Sequence, residues 1–408
     1  MNIIFLTLVR ISDVEERGIY HDLMRKFRDE GHNVYIVTAA ERRLGQETSL
    51  VDSHGVKILN VKTLNVQKTN IVEKGIGTLL IESQFKAAII KYLGGVKFDL
   101  ITYSTPPITF TNVVRYLKNK NPKAISYLQL KDIFPQNAVD MGMFGEKSVF
   151  NWYFRNKEKV LYKASDFIGC MSPANVEFLL KHNSEIDAKS VEVAPNSIDL
   201  KGTGDVLNND PEQLKAARYY IRRKYDLPLD KPVFIYGGNL GKPQGIDFLI
   251  KCLDANKNRM DCHFMVVGTG TEYPRLEAWY NANLNLNVKL MKGLPKADYD
   301  LLVRSCDVGM IFLDHRFTIP NYPSRLLSYL EYKMPVVCAT DVNTDIGKIA
   351  EENGYGYWCE SVKPEDFTAL IDKMLASDMK AMGERGYEFL KQNYLVEHTY
   401  NAIMRHIK

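Results

Sequence analysis

The feature that most constrains the fold is an alternation of short apolar runs with helix-length segments. Residues 2–9 are apolar, the segment 19–27 places its apolar side chains on one helical face, and residues 34–38 form a second apolar run. This order predicts a parallel strand pair, because parallel strands need a long crossover, usually a helix. Further strands are predicted near 56–61, 98–103, 125–130, 166–171 and 190–194. The first half of the chain is therefore predicted to be a doubly wound α/β domain.

A second alternating series begins at Pro232. Its strands are predicted near 232–237, 263–268, 288–291, 307–313 and 335–339. A chain of 408 residues is too long for a single core, so two domains are expected. We predict a first domain at 1–196, an inter-domain linker with an insert at 197–231, a second domain at 232–377 and a C-terminal helix at 378–408.

The cysteines and the charge restrict the setting in which the chain works. The six cysteines are scattered and form no C-x-x-C pair, which favours a reduced, cytosolic protein. The N-terminal apolar run is too short for a signal peptide, and no run has the length of a membrane span. We therefore expect a protein in the cytoplasm or at the inner face of the membrane. The net charge of +4 suits an acidic ligand or membrane surface, and no nucleic-acid-binding module is recognisable.

The segment from Asn321 to Asp345 contains the strongest candidate for an anion site. Ser324 is a favourable N-cap, leucines follow at helical spacing, and Pro335 ends the helix before a short buried strand. The start of a helix offers free backbone N–H groups, and Arg325 adds a guanidinium at the same point. This combination predicts a phosphate site.

A glycine-rich turn supplies a second candidate for binding an anion. Gly237-Gly238-Asn239-Leu240-Gly241 follows a predicted strand and precedes a helix that begins near Gly245. Glycines let the backbone approach a diphosphate closely, although many such sequences are only tight turns. Two anion sites at neighbouring strand ends favour a nucleoside diphosphate. A third turn, Val267–Glu272, is explained equally well as a tight turn or as a ligand contact.

Four segments together resemble the two-domain, GT-B retaining glycosyltransferases of family 4: Asn321–Thr340, Tyr236–Gly245, Val267–Gly270 and Val193–Asp199. Within that family the chain is most similar to bacterial enzymes that assemble capsule and O-antigen repeat units. The resemblance implies two Rossmann-like domains facing a cleft, with the acceptor in the first and the nucleotide sugar in the second. It also implies that the C-terminal helix returns to the first domain. No cofactor is expected, because the nucleotide sugar is a substrate, and no obligatory metal is expected, because no D-x-D motif is recognised.

The resemblance assigns donor binding to the second domain, with the phosphate role on Ser324 and Arg325 and the ribose role on Ser328. The predicted donor-binding residues are Gly238, Asn239, Leu240, Gly241, Lys242, Gln244, Gly268, Leu294, Arg316, Ser324, Arg325, Leu326 and Ser328. The chain also departs from the commoner family pattern. Asn239 and Gln244 replace an arginine and a lysine, while Pro320 and Ser328 replace two glutamates.

In the first domain, Leu130–Pro135 resembles a family segment in which a His-Asp pair faces the donor sugar. Lys131 stands in the histidine place, so Asp132 is the stronger candidate for a catalytic contact, although it suits a helix cap almost equally well. Four residues are predicted to face the acceptor at the same rim: Arg17, Gly18, His21 and Thr105. A histidine one turn into a helix is more often simply a partly exposed helix residue.

These assignments predict a retaining transferase that moves a sugar, such as N-acetylfucosamine, from a UDP-linked donor to a saccharide on a polyprenyl diphosphate. Two alternatives remain open: a nucleotide-sugar 2-epimerase of related fold, and a non-catalytic subunit that has lost the usual glutamates. Two stretches, 62–97 and 150–159, mix basic and apolar residues and suit either peripheral membrane contact or ordinary packing against a sheet.

Overall fold

The computed structural model describes residues 1–66, 71–200, 211–284 and 287–407. The chain divides into two compact units, one formed by Met1–Ile198 with the C-terminal residues from Val396, the other by Asp199–Leu395. Each unit contains one mainly parallel sheet covered by helices. Among the described residues, no helix combines the length and apolar character needed to cross a membrane.

The first unit contains eight strands among the described residues, and they share one sheet. The strands are β1 (Asn2–Thr7), β2 (Asn33–Glu41), β3 (Ser49–Ser53), β4 (Val56–Thr63), β5 (Leu100–Ser104), β6 (Ile125–Leu130), β7 (Phe167–Cys170) and β8 (Val191–Val193). Their order is β3-β4-β2-β1-β5-β6-β7-β8, and every pair is parallel except β3 with β4. The sheet forms because its inner strands are continuous apolar runs that are buried on both faces.

Helices cover both faces of this sheet. They are α1 (Ile19–Asp29), α2 (Ile71–Leu93), α3 (Thr111–Lys120), α4 (Gln136–Asp140), α5 (Val149–Lys163) and α6 (Pro173–His182), and the C-terminal helix α15 (Val396–Met404) packs against α1. On the other face α2 packs on α3, and α3 packs on α5. The buried apolar residues of α1 are Tyr20, Leu23, Met24 and Phe27, as its 3.6-residue period predicts.

The second unit has a six-stranded, fully parallel sheet in the part of the chain that the structure describes. Its strands are β9 (Val233–Asn239), β10 (His263–Thr269), β11 (Val288–Lys292), β12 (Val308–Phe312), β13 (Val336–Thr340) and β14 (Gly356–Glu360), in the order β11-β10-β9-β12-β13-β14. Its helices are α7 (Pro211–Lys224), α8 (Ile246–Asn256), α9 (Tyr273–Ala282), α10 (Lys296–Arg304), α11 (Arg325–Glu331), α12 (Ile346–Glu352), α13 (Pro364–Leu375) and α14 (Met379–Asn393).

Two predicted segments differ in detail from the structure. Of the predicted linker 197–231, residues 201–210 lie outside the described residues, and α7 belongs to the second unit. The buried Arg222 of α7 anchors it there, with Nη2 2.5 Å from Asp307 Oδ2 and Nε donating to the Ser305 carbonyl. The predicted single helix at 378–408 is two helices, α14 in the second unit and α15 in the first.

Candidate functional site

The chain order of the strands shows where a ligand would bind in the second unit. After β9 the chain builds outward through β10 and β11, and then returns to the other side of β9 with β12. In open parallel sheets, ligands bind beyond the carboxyl ends of the strands where the direction of building reverses. The relevant strand ends here are those of β9 and β12, and β9 ends in the glycine-rich turn.

The glycine-rich turn is closed by its own side chains. Gln244 Oε1 accepts hydrogen bonds from Asn239 Nδ2 at 2.9 Å and from the Gly241 amide at 3.2 Å. The Tyr236 hydroxyl donates to the Asn239 carbonyl at 2.9 Å. Gly238 has a φ of 115°, which a residue with a side chain rarely adopts. Asn239 and Gln244, predicted as donor ligands, therefore already hold each other in this structure.

Leu240 is a core residue whose side chain is fully buried. Its amide donates to the Thr269 carbonyl at 2.9 Å, so the turn is tied to the end of β10. A Cβ on Gly268 would lie 2.0 Å from the Gly238 carbonyl oxygen, and one on Gly270 would lie 2.2 Å from the Leu240 carbonyl oxygen. Gly268, near the end of β10, and Gly270, just after it, thus allow the ends of β9 and β10 to approach, which is a structural reason for Gly268 independent of any ligand.

Arg325 is the first residue of α11, and its guanidinium reaches the end of β9. Its Cζ lies 4.3 Å from the centroid of the Tyr236 ring, and a Cβ on Gly238 would lie 3.9 Å from the same atom. Its Nη1 is buried without a hydrogen-bond partner, and no carboxylate of the described residues pairs with it. Leaving a buried cationic donor unpaired is costly, so this site calls for an anion.

The sequence neighbours of Arg325 differ in burial and in the contacts that they make. Ser324 is exposed at the start of α11, but its side chain makes no capping hydrogen bond. Leu326 is fully buried in the core, and its amide donates to the Pro323 carbonyl at 3.2 Å. Ser328, one turn further along α11, is half-buried. The helix has seven residues, so the guanidinium of Arg325 is the main anion-binding feature that it offers.

The remaining predicted donor residues lie at the same edge of the sheet. Lys242 is exposed in a short 3-10 turn after Gly241, and Leu294 is half-buried after β11. Arg316 follows β12 and pairs in a bidentate manner with Asp314, with both N···O distances at 2.8 Å. Arg316 is therefore neutralised within its own loop.

One pair of carboxylates in the second unit shows that the expectation of no D-x-D motif was wrong. Asp298 and Asp300 have D-x-D spacing on α10. Asp300 pairs with Lys296 Nζ at 2.5 Å, and Asp298 lies 3.5 Å from Lys224 Nζ. Within the described ranges, no group of three or more His, Cys, Asp or Glu side chains is arranged to hold a metal ion. The absence of a metal requirement stays a prediction.

Between these aspartates stands Tyr299, which sequence reasoning missed. A Cβ on Gly237 would lie 2.1 Å from the Tyr299 hydroxyl, so this side chain occupies the space above the glycine turn. Burial raises the pKa of Tyr299 to about 12, and the nearby Arg325 opposes that rise. Tyr236 and Tyr299 thus flank the Arg325 guanidinium. A tyrosine in the middle of an amphipathic helix carries no sequence signal for this position.

In the first unit, the direction of building reverses between β1 and β5, and Thr105 follows β5 directly. Its buried Oγ1 accepts hydrogen bonds from the amides of Lys131 at 3.0 Å and Asp132 at 3.2 Å, and donates to the Asp132 carbonyl at 3.1 Å. The structure therefore brings together three predicted residues. Thr105 acts here as a support for the turn that carries Lys131 and Asp132.

Burial shifts the pKa of both candidate catalytic groups towards neutrality. It lowers the pKa of Lys131 to about 7 and raises that of Asp132 to about 6. Lys131 Nζ lies 3.3 Å from the Ala194 carbonyl and lines a small cleft with Tyr20 and Asn196. The amide oxygen of Asn196 is buried without a hydrogen-bond partner. Groups poised near neutral pH are suited to proton transfer.

The predicted acceptor loop lies at the start of α1. The Gly18 amide donates to Asp22 Oδ1 at 3.2 Å, and a Cβ on Gly18 would lie 2.6 Å from His21 Nδ1. His21 is buried and not partly exposed, its Nε2 makes no hydrogen bond, and burial lowers its pKa. Arg17 is half-buried in the same loop. Gly18 and His21 are therefore brought together by packing, and their acceptor role stays a prediction.

Comparison with known proteins identifies the second unit. Residues 218–389 match the family Glycosyl transferases group 1. We call this matched part of the second unit the group 1 domain. The domain contains the glycine turn, Arg325 and Tyr299, so the unpaired cation lies within the matched region.

Curated relatives carry similar names. The probable glycosyltransferase WbjE of Pseudomonas aeruginosa is 22% identical over 267 residues, 65% of this chain and 64% of that protein. The putative colanic acid biosynthesis glycosyl transferase WcaI of Escherichia coli is 26% identical over 154 residues, 37% of this chain and 36% of that protein. The chain thus spans less than two thirds of the length of these relatives.

Solved structures match the fold of the group 1 domain and of the first unit. Sucrose-phosphate synthase from Thermosynechococcus elongatus has a TM-score of 0.75 at 15% identity, covering 99% of this chain and 98% of that one. HepE of Anabaena, solved in complex with UDP-glucose, has a TM-score of 0.69 at 14% identity, covering 100% and 99%. At such low identities the similarity establishes the fold alone. It confirms the predicted GT-B class with two Rossmann-like, parallel-sheet domains.

Proposed function

We propose that this chain is a glycosyltransferase whose group 1 domain binds a nucleoside-diphosphate sugar, and that UDP carries the sugar. The observation that carries the proposal is the half-buried Arg325, whose Nη1 is buried beside Gly238 without a hydrogen-bond partner. A diphosphate supplies the missing acceptor, and neighbouring strand ends give its two phosphates room. The glycosyltransferase names of WbjE and WcaI support the same class of activity.

In this proposal Arg325 stabilises the negative charge that develops on the leaving diphosphate. Lys242 is exposed at the same edge and adds a second positive charge. Such groups accelerate the reaction because they are held in place before charge develops. We propose retention of configuration, with the leaving phosphate helping to deprotonate the acceptor hydroxyl. No metal is part of this proposal, and full activity in the presence of a chelator would test that part.

The first unit is proposed to bind the acceptor at the end of β5. Asp132, held by Thr105, is the candidate for contact with the reacting sugar, and Lys131 lies beside it. His21 offers a buried ring nitrogen, Nε2, that has no hydrogen-bond partner and lies 3.9 Å from Glu16 Oε2. We propose an acceptor saccharide on a polyprenyl diphosphate, in the cytoplasm at the inner membrane face, for capsule or O-antigen synthesis. The colanic acid named for WcaI supports a polysaccharide pathway, and N-acetylfucosamine is the proposed sugar.

Nucleotide release from a panel of UDP-, GDP- and dTDP-sugars tests the proposal, with and without a lipid-diphosphate saccharide. We expect acceptor-dependent release of UDP. Arg325→Ala should lower donor affinity by at least about tenfold, because a charge-assisted contact to phosphate is lost. Arg304→Ala is the matched control, since Arg304 also stacks on a tyrosine, Tyr332, at 5.9 Å but lies away from the glycine turn. Donor binding without any release would instead indicate a non-catalytic subunit.

A further inference from the structure

The first unit exposes a cluster of large apolar side chains around the start of α5. Met143 is 67% exposed, Val149 77%, Phe150 68% and Trp152 68%. We call these four residues the α5 patch. Single exposed apolar residues are normal on a protein surface, but four within ten residues of chain, including two aromatic ones, indicate an interaction site.

The α5 patch is held on an ordered helix start. The Ser148 side chain caps α5 by accepting a hydrogen bond from the Asn151 amide at 3.1 Å. The inward side of the helix is already satisfied: the Phe154 ring packs at 5.0 Å from that of Phe134, and the buried Glu158 accepts from the Tyr162 hydroxyl at 2.6 Å. The exposed Phe150 and Trp152 are therefore not needed for packing within the first unit.

The chemistry around the α5 patch distinguishes between occupants. Residues 146–163 contain five basic and two acidic residues, a net charge of +3. Lysine is depleted from protein–protein interfaces, whereas tryptophan and phenylalanine among lysines are typical of segments that lie in the headgroup region of a bilayer. The charge also matches the negative surface of a membrane that contains anionic lipids.

A second helix adds to the same edge of the first unit. Three residues in the first half of α2 are exposed: Ile76, Leu79 and Leu80. Both α2 and α5 connect parallel strands, so their N-terminal ends lie at the carboxyl edge of the sheet, and α3 packs between them. Thr105 and Asp132 follow strands at that same edge.

We propose that the α5 patch is a membrane-docking surface that inserts Phe150 and Trp152 among the headgroups of an anionic bilayer. The exposed part of α2 lies on the same helical layer and extends this surface. The inference stands on exposure and charge, so it does not depend on the sugar-transfer reaction. It adds to the proposed function a means of presenting the first unit to an acceptor anchored in lipid.

Vesicle co-sedimentation of the full chain tests the proposal. The probes are vesicles of phosphatidylcholine alone and of phosphatidylcholine mixed with anionic phosphatidylglycerol. We expect binding to the anionic vesicles that weakens with added salt. Phe150→Ser combined with Trp152→Ser should weaken binding by roughly tenfold or more, because two large apolar side chains no longer leave water. The matched control is Met260→Ser, since Met260 is 76% exposed but lies in the second unit.

Two further variants separate the contributions of charge and insertion. The double variant Lys147→Gln, Lys157→Gln should bind anionic vesicles more weakly. Most of the dependence of that binding on salt should also be lost. Trp152→Phe should remove a blue shift of tryptophan emission that wild type shows with vesicles, because Trp279 and Trp358 lie in the second unit. Unchanged melting temperature and UDP binding would show that the variants are folded.

Three results would overturn the proposal. They are equal vesicle binding by wild type and the Phe150/Trp152 double variant, no binding of wild type to anionic vesicles, and a wild-type dimer that the same substitutions convert to a monomer. If the wild-type protein does not bind UDP, the proposed function is contradicted. The vesicle result is not affected by that outcome.

Discussion

At the scale of single residues, the Arg325 guanidinium depends on the ring face beneath it. Tyr236 is fully buried, and its ring centroid lies 4.3 Å from Arg325 Cζ. Tyr236→Leu removes the cation–π contact, so UDP should bind about 2- to 30-fold more weakly by calorimetry. Tyr236→Phe keeps the ring and loses only the hydroxyl that bonds the Asn239 carbonyl, so its loss should be smaller. Equal UDP affinity in wild type and Tyr236→Leu would show that the ring does not position the guanidinium.

The amine of the half-buried Lys131 gives the stability of the protein a specific pH dependence. Burial lowers its pKa from 10.5 to about 7, so between these values the unfolded chain binds more protons there than the folded chain. The free energy of unfolding therefore rises with pH in that window, by up to about 1.4 kcal/mol per pH unit. Lys131→Met removes this term. The stability gained by Lys131→Met over wild type should be larger near pH 7 than near pH 9 in denaturant titrations.

Controls separate this effect from other titrations. Lys123→Met changes an exposed lysine of the same unit and should show no such pH-dependent difference. Asp132 has the opposite sign: burial raises its pKa from 3.8 to about 6, so its contribution to stability falls as pH rises through that range. A stability difference between Lys131→Met and wild type that does not change with pH would contradict the lowered pKa of this amine.

At the scale of elements, the sequence predicts buried parallel strands better than edge strands. The runs predicted at 2–9 and 263–268 correspond to β1 and β10, because strands covered on both faces are continuously apolar. β3 and β14 were not predicted. β3 is an edge strand with three exposed residues in its middle, and β14 includes partly exposed Tyr357 and Trp358, so neither has a continuous buried run.

The candidate site was predictable only where strand topology decides it. Gly238 lies at the end of β9 and Arg325 follows β12 at the same edge, and a Cβ on Gly238 would lie 3.9 Å from Arg325 Cζ. Leu240 and Leu326 carry side chains that turn into the core, because membership of a motif does not reveal which face a residue uses. Tyr299 lies on α10, distant in sequence from the glycine turn that it contacts. The sequence of the turn therefore cannot predict this contact.

The close approach of the ends of β9 and β10 is predicted to need glycine at position 268. A Cβ there would lie 2.0 Å from the Gly238 carbonyl oxygen. This oxygen belongs to the backbone, so it cannot move away without a shift of the strand. Gly268→Ala should lower the free energy of unfolding by about 1–3 kcal/mol and weaken UDP binding, since the turn beside Arg325 must shift. Gly95→Ala, with no atom within 4 Å of the added Cβ, is the control. Wild-type stability in Gly268→Ala would refute the close approach.

At the scale of the whole molecule, the chain returns to the unit in which it began. α15 completes the first unit: the Val396 amide donates to the Ile198 carbonyl at 2.9 Å, and the Thr399 hydroxyl donates to the Pro195 carbonyl at 3.0 Å. The Tyr400 ring lies 5.2 Å from that of Phe27, and the side chain of Ile403 is fully buried. The last helix therefore belongs to the first unit, although it follows the second unit in sequence.

Deleting residues 396–408 should thus damage the two units unequally. The first unit loses two fully or nearly fully buried side chains, Val396 and Ile403, and exposes the face of α1 that they cover, at a cost of several kcal/mol. The second unit keeps its core and Arg325. Calorimetry should show one transition lowered and one unchanged, with UDP affinity retained. Glu397→Gln is the control, since its half-exposed carboxylate makes only a 3.5 Å pair with Lys26 and should change stability by less than about 1 kcal/mol. If the truncated chain instead loses UDP binding and unfolds in one step, the donor site depends on the first unit, and the division of labour proposed between the units is wrong.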